Sequence, residues 1–193
     1  MCVLKELEIG DGNRGVTTSG RGFDHEMQIM SAISVHPNVL QLYDSFICDS
    51  KYYMVLEFCE RGDLSDYLRR ATAPPMKMEL PESKIWHFFI QILLALDHIH
   101  SENIVHSDIK PSNILLAGKD LNVKLADFGT SQILTKNYNF VHECVGTLFY
   151  ISPEVCKGEA YSTKTDIWAL GCILYELCTS RKPFDGTSDE HLK

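Results

Sequence analysis

Two short stretches of this 193-residue sequence concentrate side chains able to do chemistry: His106-Ser107-Asp108-Ile109-Lys110-Pro111-Ser112-Asn113 and Asp127-Phe128-Gly129. Asp108 and Asn113 are five positions apart, and Asp127 follows Asp108 by nineteen. The residue types suit transfer of a phosphoryl group, which asks a protein for positioning and charge neutralisation more than for covalent chemistry. Asp108 would receive or orient the proton of an attacking hydroxyl. Lys110, two positions on, could reach the transferred phosphate. Asn113 and Asp127 offer oxygen ligands of the kind Mg²⁺ takes. A lone Asp-Phe-Gly would carry little; the octapeptide in this order and at this spacing carries much more.

Those side chains need a frame, and the composition bounds it. The length allows one ordinary domain or two small lobes, and 45% apolar residues suffice for a core. A net charge of −8 argues against a nucleic-acid-binding surface. The seven cysteines (2, 48, 59, 144, 156, 172 and 178) are odd in number and contain no C-x-x-C pair, which fits free thiols in a reducing compartment. Met1 to Gly10 lacks the apolar centre of a signal peptide. The apolar run Ile85 to Leu96 is interrupted by His87 and Gln91 and is too short to span a bilayer, so no membrane partner is expected. That run and Ile167 to Cys178 read as core helices buried on most faces.

Along the chain, Met1 to Glu8 reads as a strand with Val3 and Lys5 on one face. Gly10 to Gly22 reads as a loop, followed by a helix from Phe23 to Ile33. Val39 to Cys48 and Tyr52 to Phe58 form a hairpin across Asp49-Ser50-Lys51. The pattern turns helical after Gly62, and the proline-rich stretch Ala71 to Pro81 is a connector. A helix after Pro81 leads into the reactive loop. Ile114 to Leu116 and Val123 to Ala126 flank a second short hairpin. Thr130 to Ser152 has no clear period, and loops of that length are usually functional. Strands with one helix, then mostly helices, imply a small strand-rich lobe, a larger helical lobe and a cleft between them.

The two reactive stretches resemble the catalytic loop and metal-binding motif of eukaryotic protein kinases, and further matches follow in order. Val3-Leu4-Lys5 resembles the strand-three motif of that family. The resemblance implies that Lys5 pairs with the α/β-phosphates of ATP and that Glu26 holds Lys5. Lys5 alone would be an ordinary solvated strand lysine. An exposed Lys-Glu pair is energetically minor, so its value would lie in placing the ammonium. Glu57-Phe58-Cys59 resembles the hinge that binds the adenine edge, with Leu56 at the gatekeeper position. Val3 and Leu115 would form the roof and floor of the adenine pocket, and Asp63 would approach the ribose. Ile151-Ser152-Pro153-Glu154 resembles the motif whose Glu pairs with an Arg, for which Arg181 is placed. Asp166 is similar to the helix-start Asp that ties the catalytic-loop backbone, and Thr147 to the Thr set against Lys110.

Lys110 follows the pattern of Ser/Thr kinases. Segments such as Phe58 to Leu64, Cys144 to Thr147 and Asp166 to Cys172 are most similar to the NIMA-related group. The resemblance implies an α+β, two-lobed fold, with residues 1–57 as the N-lobe from strand three and 58–193 as the C-lobe to just beyond the Asp166 helix. It implies an enzyme that uses ATP and Mg²⁺ to phosphorylate Ser/Thr hydroxyls of protein substrates. Cytoskeletal or cell-cycle partners, and a cytoplasmic location extending to the cytoskeleton or nucleus, rest on the resemblance alone.

Two departures and a decoy qualify this reading. Gly10-Asp11-Gly12-Asn13-Arg14-Gly15 matches G-x-G-x-x-G but follows Lys5, whereas the family's phosphate loop precedes that lysine. It is read as a connecting loop. The family's first two strands and last helices have no counterpart here, so weak ATP affinity and an exposed apolar underside are expected. Ser107 stands where most kinases carry the Arg that receives an activation-loop phosphate, and Glu143 stands where the phosphorylated residue would be. Activity independent of phosphorylation at that point is therefore expected, with Thr135 and Tyr138 left as regulatory sites. The alternative to an active enzyme is a non-catalytic pseudokinase scaffold or inactive fragment lacking the Gly-rich loop.

Overall fold

The computed structural model describes residues 1–8, 19–72, 79–134 and 149–184. Three strands, β1 (Cys2–Glu8), β2 (Leu42–Cys48) and β3 (Lys51–Glu57), form an antiparallel sheet in the order β1-β3-β2, with helix α1 (Ser19–Ala32) between β1 and β2 in sequence. The β2–β3 hairpin turns at Asp49 and Ser50, with φ of 48° and 58°. Two consecutive left-handed residues give the turn whose twist matches that of the flanking strands.

Burial along β3 alternates, with Met54 and Leu56 on the covered face. Lys5 pairs with Met54 and Val3 with Leu56. Directly opposed residues share a sheet face, so Val3 and Lys5 lie on the side that α1 covers. Ile29 and Met30 bury the inner stripe of α1, and Glu26, one turn earlier, falls on the same stripe.

The second part is built on α2 (Leu64–Thr72), α3 (Glu82–Ser101), α4 (Pro153–Cys156) and α5 (Lys164–Thr179). Phe88, Ile92, Ala95, Leu96 and Ile99 form the buried face of α3, and Ala169, Leu170, Ile173 and Leu177 that of α5. The two-residue strands β4 (Ile104–Val105) and β7 (Gln132–Ile133) pair with each other, while β5 (Ile114–Ala117) and β6 (Asn122–Leu125) form a hairpin. One contiguous core runs from Ile29 and Met54 through Phe88, Ile114 and Phe128 to Ile173.

Both edges of the β5–β6 hairpin are covered by chain that flanks the three-stranded sheet, just before β2 and just after β3. On the β6 edge, the Leu125 N–H donates to the Asn38 carbonyl at 2.8 Å and the Leu40 N–H to the Leu125 carbonyl at 2.9 Å. On the β5 edge, the Leu116 N–H donates to the Gly62 carbonyl at 2.8 Å and the Arg61 N–H to the Leu116 carbonyl at 3.1 Å. Gln91 of α3 bridges this junction, its side-chain oxygen accepting from the Asn38 amide and the Val123 N–H.

Three expectations need correction. The backbone of α1 begins at Ser19, not Phe23: a helix with enough packing absorbs Gly20 and Gly22 at a cost of about 1 kcal/mol each. β4 and β7 were not anticipated, because two residues are too few to show a period. The apolar helices are not buried on most faces. Trp86, Ile90, Leu93 and Leu94 are exposed on α3, and Ile167, Trp168 and Tyr175 on α5, because each helix is covered along one stripe. No described helix is long and apolar enough to cross a membrane. The Gly10–Gly15 motif lies outside the described residues.

The contrast between the two faces of α3 can be measured. Ile92→Ala should cost about 2–5 kcal/mol in urea denaturation, because it opens a cavity in the core. Ile90→Ala should cost less than about 1 kcal/mol.

Candidate active site

The register of β1 brings Lys5 to α1, where its Nζ lies 2.8 and 2.7 Å from the two carboxylate oxygens of Glu26. The lysine side chain is 37% exposed and the glutamate 6%. The carboxylate is thus fixed in the protein while the ammonium keeps one side open.

The reactive loop runs from β4 to β5. Asp108 Oδ2 accepts from Lys110 Nζ at 2.6 Å and from Asn113 Nδ2 at 3.0 Å, and Asn113 Nδ2 also donates to the Asp108 carbonyl at 2.8 Å. Asn113 closes a 3₁₀ turn, Pro111–Asn113, whose entry Pro111 preorganises. Its backbone carbonyl accepts from the Ala126 N–H at 2.9 Å, which seats Asp127 beside it. Asp127 is exposed, with a left-handed φ of 66°. Among the neighbours of Gly129, Asp127 Oδ1 lies 3.4 Å from where a Cβ would stand, an ordinary van der Waals contact.

A buried polar scaffold holds this loop. Asp166, 1% exposed at the start of α5, accepts from the His106 N–H and the Ser107 N–H, each at 2.9 Å, and from His100 Nε2 at 2.8 Å. Ser107 has a φ of 69°, a conformation that an L-residue holds only when its surroundings impose it. The His106 ring donates from Nε2 to the Ala126 carbonyl at 3.1 Å and accepts at Nδ1 from the Asp108 N–H at 3.3 Å. A carbonyl can only accept, so the proton is on Nε2. Phe128, fully buried, packs against that ring at 5.0 Å.

The residues expected around a nucleotide lie along the junction of the two parts. Leu56 is buried and Leu115 half-buried, while Val3 is exposed at the sheet end. The Glu57 carboxylate is paired with Lys124 at 2.8 Å, and its N–H donates to the Gln41 carbonyl at 2.9 Å, so any contribution to a ligand would come through its carbonyl. Asp63 caps α2, its Oδ1 accepting the Asp66 N–H at 2.7 Å, and it bridges to Leu115. Burial, assisted by the Glu57 charge, pushes the Cys59 thiol up to about 11.

Arg181 does not meet Glu154. No ion pair joins them among the described residues, and the Arg181 N–H donates to Thr179 Oγ1. Glu154 instead lines a cavity of about 640 Å³ with Lys164, Trp168 and Phe184. α5 ends in a left-handed Ser180 with its last turn exposed, which leads Arg181 to the surface. Thr147, Glu143, Thr135 and Tyr138 lie outside the described residues. Sequence reasoning missed His100 and the structural part played by the His106 ring. A histidine sixty-six positions from its carboxylate leaves no spacing signal.

Asn113 and Asp127 fit a hard divalent cation. Both Asn113 bonds to Asp108 use the amide nitrogen, so its oxygen is the atom left as a ligand beside the exposed carboxylate. No cluster of three or more His, Cys, Asp or Glu able to hold a metal occurs among the described residues. A site with so few protein ligands is typical of a cation that also binds phosphate oxygens.

Comparison with known proteins gives the family. The family model described as "Protein kinase domain" matches residues 3–193. Among curated proteins, the chain is 40% identical over 191 residues to human serine/threonine-protein kinase Nek5, 37% identical over 191 residues to the mouse Nek5, and 42% identical over 190 residues to mouse serine/threonine-protein kinase Nek1. These alignments cover 98–99% of this chain but 26%, 28% and 15% of the respective relatives, so the chain spans about a quarter or less of their length.

Two measurements check the site. Asp166→Asn should cost about 3 kcal/mol, because it disrupts a buried carboxylate and leaves its histidine and amide donors poorly matched. At pH 8 the Cys59 thiol, with its ionisation raised to about 11, should alkylate at least about tenfold more slowly than exposed Cys48, and should approach it only above pH 10. The match of the kinase domain across nearly the whole sequence, joined to this arrangement of Asp108, Asn113, Asp127 and the Lys5–Glu26 pair, establishes that the chain belongs to the protein kinase family.

Proposed function

We propose that this chain acts as an ATP-dependent protein serine/threonine kinase, with Mg²⁺ as the cation and Ser/Thr hydroxyls of protein substrates as acceptors. One observation carries the reading. Asp108 Oδ2 is held by both Lys110 and Asn113, and the Asn113 carbonyl takes the N–H of Ala126, the residue before Asp127.

In this reading Asp108 accepts the proton of the substrate hydroxyl as it attacks. Lys110, already on that carboxylate, is placed to follow the charge onto the transferred phosphoryl group. Lys5, backed by Glu26, neutralises the α/β-phosphates. Asn113 and Asp127 would hold the cation, which when bound would neutralise negative charge on the phosphates. The Glu57 carbonyl and the Cys59 backbone would meet the adenine edge, with Val3, Leu56 and Leu115 around the ring and Asp63 near the ribose. The chain divides near residue 57 into N- and C-lobes. Curated relatives named serine/threonine-protein kinases support the acceptor class. Six free cysteines among the described residues fit a cytoplasmic setting, and cytoskeletal or cell-cycle partners rest on family likeness.

The test is phosphoryl transfer from labelled ATP to Ser/Thr and Tyr peptides with Mg²⁺. Wild-type chain should label Ser/Thr peptides. Asp127→Asn should lower the rate by about 100-fold or more without shifting the thermal melt, because the carboxylate is exposed and Asn tolerates the left-handed backbone. Equal rates in the two proteins, or no transfer by the wild type, would refute the reading.

A further inference from the structure

His25 immediately precedes Glu26 on α1, and its ring crosses to the segment that follows Asp127-Phe128-Gly129. Its Nε2 lies 2.5 Å from the carbonyl oxygen of Ser131. A carbonyl only accepts, so Nε2 carries the hydrogen and His25 donates. Ser131 is fully buried. Its N–H donates to the Phe128 carbonyl at 3.1 Å, and its hydroxyl donates to the His106 carbonyl at 3.2 Å. The His106 N–H in turn donates to Asp166. A run of hydrogen bonds therefore leads from α1 through the Asp127–Ser131 turn to the reactive loop and α5.

Successive helix residues project about 100° apart. Glu26 and His25 thus reach different partners from one rigid element, the first on β1 and the second beside Asp127. A lysine–carboxylate pair with a partly solvated ammonium is a weak tether by itself. The His25 bond is a second, part-buried tether, added to the core packing of Ile29 and Met30.

We propose that His25 is a positioning residue: its bond to the Ser131 carbonyl holds α1 at the setting in which Glu26 meets Lys5. The consequence for catalysis rests on the kinase reading; the coupling itself does not.

Trace acylation of lysine amines in the full chain, read by peptide mass spectrometry, tests the coupling without activity. Exposed Lys119 sets the rate scale, and Lys124, held on Glu57, reports an intact fold. His25→Phe keeps a ring and removes the donor. Lys5 should then label about fivefold faster, the shift expected from losing one ordinary hydrogen bond, with Lys124 unchanged. His25→Gln, which restores a terminal N–H, should recover most of the protection. An unchanged Lys5 rate in His25→Phe, or a rise shared by Lys124, would overturn the proposal.

The kinetic arm is a double-mutant cycle on kcat/KM for ATP. His25→Phe should lower it in the wild-type background and change it less than about twofold in Glu26→Gln, because a residue acting through Glu26 has nothing left to position. Independent, multiplying losses would overturn it. A wild-type chain that transfers no phosphate would end the kinase reading, and the labelling result would still decide the tether.

Discussion

A buried carboxylate at the head of α5 holds the reactive loop in shape. Asp166 takes backbone hydrogens from two consecutive residues, His106 and Ser107, and a ring hydrogen from His100. Consecutive amides converge on one carboxylate only if the chain between them bends sharply, and Ser107 is left-handed. The cost of that backbone, about 1–3 kcal/mol, is met by charge-assisted bonds that water cannot compete for. Once Ser107 is set, the next residue, Asp108, lies within reach of Lys110 and Asn113. The setting of Asp108 therefore depends on a buried charge elsewhere in the fold.

A second constraint acts from the opposite side. Strand pairing places Lys5 across from Met54, so the lysine shares its face with the core and meets α1 rather than solvent. The pair with Glu26 follows from register. A slip of one residue would turn Lys5 to the other face and leave Glu26 buried without a cation. Hydrophobic burial of Met54 and Leu56, which fixes the register, is thus also what aims a charged group.

Much of this was legible in the sequence for identifiable reasons. Asp108, Lys110, Asn113 and Asp127 are close in the chain, and their types, order and spacing resemble known kinase motifs, so the sequence singled them out. The β2–β3 and β5–β6 hairpins and the long helix after Pro81 carried local signals of turn and period. Glu26 was legible only by its place in a known order of motifs. What stayed hidden was long-range or short-lived along the chain: the His100–Asp166 contact, the hydrogen bonds of the His106 ring, and the two-residue strands β4 and β7. The apolar faces of α3 and α5 misled because composition reports how apolar a helix is, and not which sides find neighbours. Arg181 was assigned to Glu154 by motif order, yet the end of α5 delivers it to the surface.

The hairpin β5–β6 has one more consequence. Chain entering the three-stranded sheet is bonded along one of its edges, and chain leaving that sheet along the other. Two seams on one ribbon oppose sliding of the strand-rich part along the helical part, because four backbone hydrogen bonds would have to break together. Lys5 and Glu26 lie on one side of the seams, while Asn113 and Asp127 flank the ribbon itself, just before β5 and just after β6. The register of one short hairpin thus carries over to both sets of charged groups.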